Sequence, residues 1–477
     1  MQLEVAVTGG VVRGGEEAEL AVFRGIPYGT LPARFVAPRP VEPWDGVREA
    51  TRFGPPPPQP AVFGMDAMAE AGDEWLTVNV WTPDVGGGLP VMVWIQGGAY
   101  TFGTSGLPEY DGSRLARDGV VLVTFNYRVG LEGFGLIAGR PANRGLLDQV
   151  AALEWVRYNI RAFGGDPDRV TIFGQSAGGG SVAALLVMPR AAGLFHRAIV
   201  QSMPGTYFTP ALAADVTRAC AAELGLRPAD LAGVDPALLP AAGDAVLEKI
   251  DRFTQRWGLA AHAGVPFAPV VDGDVLPTAP WAGLTGQVDL LVGHTRNEQR
   301  LLTAMSGLLG EIGPELASET ARLFGPDPQR YETAFPEPDE LYDVVRSDWL
   351  FRMPSLKLAE AQLAAGGRAH LYELTWPAPG MGGVLGACHG LDVPLVFGNL
   401  TRGQPAMLIG EPTAEAEFVS AQMRHAWTAF AADGDPGWPG HDTDATRLFD
   451  AAPAVTDYPE RVSREIWTEY PGVLDLA

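Results

Sequence analysis

Gly174-Gln175-Ser176-Ala177-Gly178 stands between an apolar run at residues 170–173 and a small-residue stretch at 181–187 that reads as a helix. A serine with glycine two residues away on each side, at a strand-to-helix junction, is the pattern of a nucleophile elbow. The reason is steric. The serine occupies a turn with strained backbone angles, and its second neighbours have to be tiny for strand and helix to approach. Gly179 and Gly180 lengthen the small-residue run. Such a turn lifts a hydroxyl to the C-terminal edge of a sheet, at a helix N-terminus. With 59 glycines in 477 residues, a chance match is the competing reading; the strand–turn–helix context argues against it.

The surrounding chain has the same grammar. Residues 89–95, 120–125, 170–173, 196–200 and 288–292 are short apolar runs, and residues 145–156 carry apolar side chains at helical spacing. Continuous apolar strands separated by helices predict an α/β fold, a mostly parallel sheet covered on both faces. Residues 210–258 and 301–348, rich in Ala, Leu and Glu, read as helical insertions, and 1–477 as one large domain. The formal charge is 34 − 57 = −23, which leaves no electrostatic footprint for nucleic acid or anionic lipid. Two cysteines, Cys220 and Cys388, cannot build a disulfide framework or a cysteine zinc site. The N-terminus has no basic segment followed by an apolar one, and no apolar run is long enough to span a bilayer. A cytoplasmic protein without nucleic-acid or membrane partners is the expectation, and no metal or organic cofactor is called for.

An elbow serine requires an oxyanion hole, a base and an acid. The run 89–95 leads directly into Gln96-Gly97-Gly98-Ala99-Tyr100, whose small residues let backbone N–H groups face a reacting carbonyl oxygen; the N–H of Ala177, next to the serine, is the second source. In an α/β chain with this elbow the order is serine, acid, histidine. His370 lies in an alternating strand pattern, His425 on an amphipathic helix, and His441 in a polar tail, where it reads as solvated. His389, in Gly386-Ala387-Cys388-His389-Gly390, sits in a pliant loop that can present an imidazole; a solvated loop histidine is the competing reading. Glu298 falls just past the strand 288–292, where catalytic groups of open α/β sheets gather, against the commoner fate of a surface glutamate. His294 comes too early in the chain to be the base and reads as a loop residue. Cys388 reads as a small packed thiol.

Together these segments resemble the type-B carboxylesterase and cholinesterase family of α/β-hydrolases, and within it the bacterial para-nitrobenzyl-esterase-like branch. The resemblance spans nearly the whole chain. It runs through Val12-Arg13-Gly14, Phe23-Arg24-Gly25-Ile26-Pro27-Tyr28, residues 76–83, Asn126-Tyr127-Arg128-Val129-Gly130, Phe163-Gly164-Gly165-Asp166-Pro167, residues 269–273 and residues 430–436. It implies a serine esterase with nucleophile Ser176, acid Glu298 and base His389, and oxyanion donors at the N–H groups of Gly98, Ala99 and Ala177. It also implies Ser202 as a hydrogen-bond partner beside the acid and the imidazole.

Four departures stand out. Gln96 replaces the family's usual His or Tyr, and Gln175 replaces its usual Glu, which removes a buried charge beside the nucleophile. The first disulfide's positions resemble Pro57 (or Pro58) and Trp75 here. Around residues 65–72 no tryptophan matches the choline-binding aromatic, which argues against cholinesterase activity. The expected partner is a small-molecule ester, short- to medium-chain or aryl, with Tyr100 and Phe102 as candidate pocket residues and a monomer as the assembly. An amidase or carbamate hydrolase with the same triad, and a catalytically dead binding protein of the same fold, are the alternatives.

Overall fold

Strands buried on both faces have to lie in the middle of a covered sheet, and the apolar runs do so here. In a computed structural model describing residues 3–61 and 72–470, the strands are β1 (Leu3–Val7), β2 (Gly10–Glu17), β3 (Leu20–Pro27), β4 (Val47–Glu49), β5 (Thr77–Thr82), β6 (Leu89–Ile95), β7 (Val121–Phe125), β8 (Gly165–Gln175), β9 (Arg197–Gln201), β10 (Asp289–Thr295), β11 (Ala369–Leu374), β12 (Ala445–Phe449) and β13 (Ala454–Asp457). They form one sheet in the order β1-β2-β3-β5-β7-β6-β8-β9-β10-β11-β12-β13, with β4 beside β2. From β7 to β12 every pairing is parallel; the flanks are antiparallel except for the parallel β2–β4 pair.

Alternation along β6 divides the core. Val91, Val93 and Ile95 enter one apolar cluster, with the helices Arg144–Asn159 and Ala177–Leu185. Met92 and Trp94 enter the other, under the helix Ala414–Asp433. The chain leaves β6 for β7 on one side and returns to β8 on the other. The strand order therefore reverses between β6 and β8, and the loops after their C-terminal ends flank a crevice of the kind where open sheets bind ligands.

Two buried arginines hold the ground beside that crevice. Arg128 is fully buried against Asp148, with Nε and Nη2 donating to the carboxylate at 2.8 and 2.7 Å and its backbone N–H donating at 3.0 Å. Removing one partner of such a pair strands a buried charge, at a cost of about 3–5 kcal/mol. Arg144 spends its guanidinium on the carbonyls of Leu131, Glu132, Gly135 and Pro141.

The expected elements are present with shifted ends. β8 begins at Gly165 rather than near 170, through a register irregularity against β6. The helix expected at 181–187 starts at Ala177, immediately after Ser176. Two histidine expectations are overturned. His294 is a buried residue of β10, not a loop residue, with Nε2 3.2 Å from the Tyr458 hydroxyl. His441 is buried too, at the start of a short helical turn at His441–Thr443. His425 is exposed on its helix. No helix among the described residues is long and apolar enough to cross a membrane.

The elbow glycines are sterically required. A Cβ on Gly178 would stand 2.0 Å from the Ile95 carbonyl oxygen, and one on Gly174 2.6 Å from the Gly178 carbonyl carbon. Gly178→Ala is expected to lose about 2 kcal/mol or more of stability in urea unfolding. Gly15→Ala, where a Cβ meets nothing within 4 Å, should change stability by less than about 0.5 kcal/mol. Equal stability of the two variants would refute the close approach.

Candidate active site

Ser176 has φ 57° and ψ −126°, backbone angles that only a sharp turn imposes on a non-glycine residue. Two hydrogen bonds hold it there. Its N–H donates to the Gln201 carbonyl at 3.0 Å, and its carbonyl accepts from the Gly180 N–H at 2.9 Å. The next strand end is tied the same way. Ser202 has φ 47°, and its N–H donates to the Gly293 carbonyl at 2.8 Å. The ends of β8, β9 and β10 are thereby stepped into one rim.

Glu298 opens the helix Glu298–Met305, past the end of β10, and is fully buried. Its Oε1 accepts from the Thr295 N–H at 2.8 Å, and its Oε2 lies 2.6 Å from His389 Nδ1. The loop carrying His389 is pinned to the segment before Glu298. The Asn297 N–H donates to the Ala387 carbonyl at 2.8 Å, and the Ala387 N–H donates to Asn297 Oδ1 at 3.2 Å. Burial works to raise the Glu298 carboxyl; the facing imidazole, the nearby Ser202 hydroxyl and the Thr295 N–H outweigh it and hold the group below the usual glutamate value. An ionised Glu298 requires the proton on His389 Nδ1, which leaves Nε2 as an acceptor.

That acceptor meets Gln175. The side-chain nitrogen of Gln175 lies 3.1 Å from His389 Nε2. No hydrogen bond among the described residues joins the Ser176 hydroxyl to the imidazole, although Ser176 is the adjoining residue and is half-buried at the crevice. Catalytic hydrogen bonds are often loose in an empty site and tighten around substrate. The structure thus brings Glu298, His389, Ser202 and Gln175 together, with Ser176 beside them.

The loop after β6 folds tightly over the elbow. Gly98, Ala99 and Tyr100 have φ of 113°, 52° and 59°, and a Cβ on Gly97 would stand 3.3 Å from Ser176 Cβ. Successive positive φ values turn backbone N–H groups toward a common point. Among the described residues, the N–H groups of Gly98, Ala99 and Ala177 make no backbone hydrogen bond. Tyr100 is buried edge-on against Phe134, at 4.9 Å, and packs into the core below the loop. Phe102 is partly exposed at its surface. Gln96 is buried, and its carbonyl accepts from the Tyr127 hydroxyl at 2.7 Å. Residues 65–71, which bear on the choline argument, lie outside the described residues.

Two neighbours of the imidazole went unnoticed in the sequence. Phe351 stacks on the His389 ring at 4.2 Å and 29°. It reaches there from a wide helical turn at Asp348–Arg352, a kind of distortion common at functional sites. Asp392, three residues past His389, is fully buried. Its Oδ2 accepts from Gln201 Nε2 at 2.7 Å, and Gln201 Oε1 accepts from Trp427 Nε1 at 3.0 Å. Nothing in local sequence marks Phe351, whereas the spacing of Asp392 after His389 was available as a signal. Burial pushes the Cys388 thiol up to about 12, so it is an inert packed thiol.

Residues 1–323 match the carboxylesterase family. The span contains Ser176 and Glu298 and ends before His389, but full-length relatives extend the likeness. The para-nitrobenzyl esterase of Bacillus subtilis (strain 168) is 36% identical over 484 residues, covering 96% of this chain and 96% of that protein. The phenmedipham hydrolase of Pseudarthrobacter oxydans is 34% identical over 452 residues, covering 90% of each chain. The crystal structure of carboxylesterase EST55 of Geobacillus stearothermophilus is similar with a TM-score of 0.85 at 35% identity, over 97% of this chain and 99% of that one.

Asp392 sets a pH signature. Burial pushes its carboxyl up to about 6, from an ordinary value of 3.8. A folded-state value above the unfolded one means that the folded chain binds this proton more tightly. The stability this group contributes is full below 3.8 and is lost as pH rises through about 6. Asp392→Asn removes that dependence. Its melting temperature relative to wild type is expected to rise as pH increases from about 4 to 7, measured by thermal unfolding at successive pH values. A constant difference across that range would show an ordinary carboxylate.

Proposed function

Because the chain belongs to the carboxylesterase family of α/β-hydrolases, we propose that it hydrolyses small-molecule carboxylic esters through Ser176, His389 and Glu298. The observation that carries this reading is the 2.6 Å contact of Glu298 with His389 Nδ1, which directs the other imidazole nitrogen toward the elbow. Glu298 keeps the ring in the tautomer whose Nε2 is a lone pair and stabilises the cation that forms when it takes a proton. The Ser176 hydroxyl attacks the ester carbonyl as His389 removes its proton, giving a tetrahedral intermediate.

The negative oxygen of that intermediate is held by the N–H groups of Gly98, Ala99 and Ala177, which have no backbone acceptor of their own among the described residues. Each such donor is worth about 10²–10³ in rate. His389 then returns the proton to the departing alcohol, leaving an acyl group on Ser176. Water cleaves the acyl-enzyme by the same sequence of proton transfers. Ser202, buried beside Glu298, helps keep the carboxylate charged. The name of the Bacillus relative supports an ester of a benzyl alcohol as substrate.

A fluorophosphonate is expected to add one phosphonyl group to Ser176 in the wild-type protein, read by mass spectrometry. Ser176→Ala should lose that label and about 10⁴–10⁶ of its turnover on a para-nitrophenyl ester while staying folded. Near-native activity in this variant would remove Ser176 from the mechanism. The rate should also fall as pH drops and the base becomes protonated. A flat profile between about pH 5 and 8 would count against His389 as base.

A further inference from the structure

The base has a partner that the reaction scheme does not use. With Glu298 on Nδ1, the neutral imidazole offers only a lone pair at Nε2, and the group placed against it is the Gln175 side-chain nitrogen, at 3.1 Å. The position Ser176 has to occupy is already filled in the empty enzyme. We infer that Gln175 is a positioning residue: its amide holds His389 as a neutral, correctly turned base at rest and yields Nε2 to Ser176 when the ester arrives. This rests on His389 being the base.

An amide suits that task because its two ends are nearly alike in shape and opposite in hydrogen-bonding character. Toward neutral imidazole Gln175 donates an N–H. Toward imidazolium, whose Nε2 carries a proton, it can turn and offer its carbonyl oxygen. Gln175 neither gains nor loses a proton. The proton passes from Ser176 Oγ to His389 Nε2 and then to the alcohol. A carboxylate at residue 175 could only accept, so it would favour the cation, the form that cannot act as base.

The charged groups around the ring are few. Glu298 faces Nδ1, and Asp392 acts on it from the helix Asp392–Phe397 that follows its loop. One layer out, Asp343 lies on the helix Pro338–Ser347 and Arg352 on the turn that carries Phe351; the Glu298 charge acts on Asp343, as do Arg352 and Arg300. Phe351 itself covers the ring with an uncharged face. Glu298 is the charge that faces the ring directly, and a neutral residue 175 adds no second negative charge beside Nε2.

The test compares kcat/KM against pH for the wild type, Gln175→Glu and Gln175→Met on para-nitrophenyl acetate. Each profile is normalised to its own alkaline plateau, so general damage to the site cancels. Gln175→Glu is expected to move the acid limb to higher pH by about one unit or more. One unit below the wild-type midpoint, that is about a tenfold loss in normalised rate. Gln175→Met, without the donor but uncharged, should move the limb upward by less than Gln175→Glu does. A Gln175→Glu limb lying on that of the wild type overturns the inference, as does an equal upward shift in Gln175→Met. Ser176→Ala separates the two levels. If it stays active, the base-and-nucleophile reading fails; if it is dead while the Gln175→Glu limb is unmoved, only the role of Gln175 fails.

Discussion

Between the turn at Ser176 and the end of β6 there is no room for a side-chain carbon. The Ile95 carbonyl oxygen lies 2.0 Å from where a Cβ of Gly178 would stand, and the Gln175 carbonyl oxygen 2.8 Å from that of Gly97. This contact presses the two loops at the strand-order reversal against each other. It also explains why Ser176 keeps φ 57°. Strain of that kind costs about 1–3 kcal/mol and persists because the bonds to Gln201 and Gly180 and the packing of the helix Ala177–Leu185 leave no alternative.

The site separates its carboxylates by their partners. Glu298 and Asp392 are both fully buried, and burial alone would neutralise both. Glu298 is held low by the imidazole, by the Ser202 hydroxyl and by a backbone N–H. Burial pushes Asp392 up to about 6, with the Glu298 charge adding to the rise and the hydrogen bond from the Gln201 amide acting against it. Environments that drive paired carboxyls apart commonly mark where protons are handled. The acidity of the chain as a whole plays no part in this, because the effect is set within a few ångströms of one ring.

Much of the architecture was readable because burial on two faces leaves a continuous apolar signature. β6 has the bounds its apolar run suggested, and the helix Arg144–Asn159 encloses the periodic stretch. The elbow was readable because glycine at 174 and 178 is a steric requirement. Polar residues were read less well. His294 read as a loop residue and His441 as a solvated one, yet both are buried. Tyr100 was expected near the pocket and instead packs against Phe134. In each case the local string describes the backbone, and the covering comes from elsewhere.

The chain by itself determined the strand–turn–helix at Ser176, the glycine loop after β6 and the presence of an acid and an imidazole in the right order. Local sterics and hydrophobic periodicity act over a few residues and are written there. Tertiary structure alone decided that His389 faces Gln175 rather than the Ser176 hydroxyl, that Phe351 covers the ring, and that Asp392 joins Gln201 and Trp427 in a buried chain. Those contacts join segments that only the sheet brings together, and a hydrogen bond changes partner over distances of an ångström or so, far finer than residue order can specify.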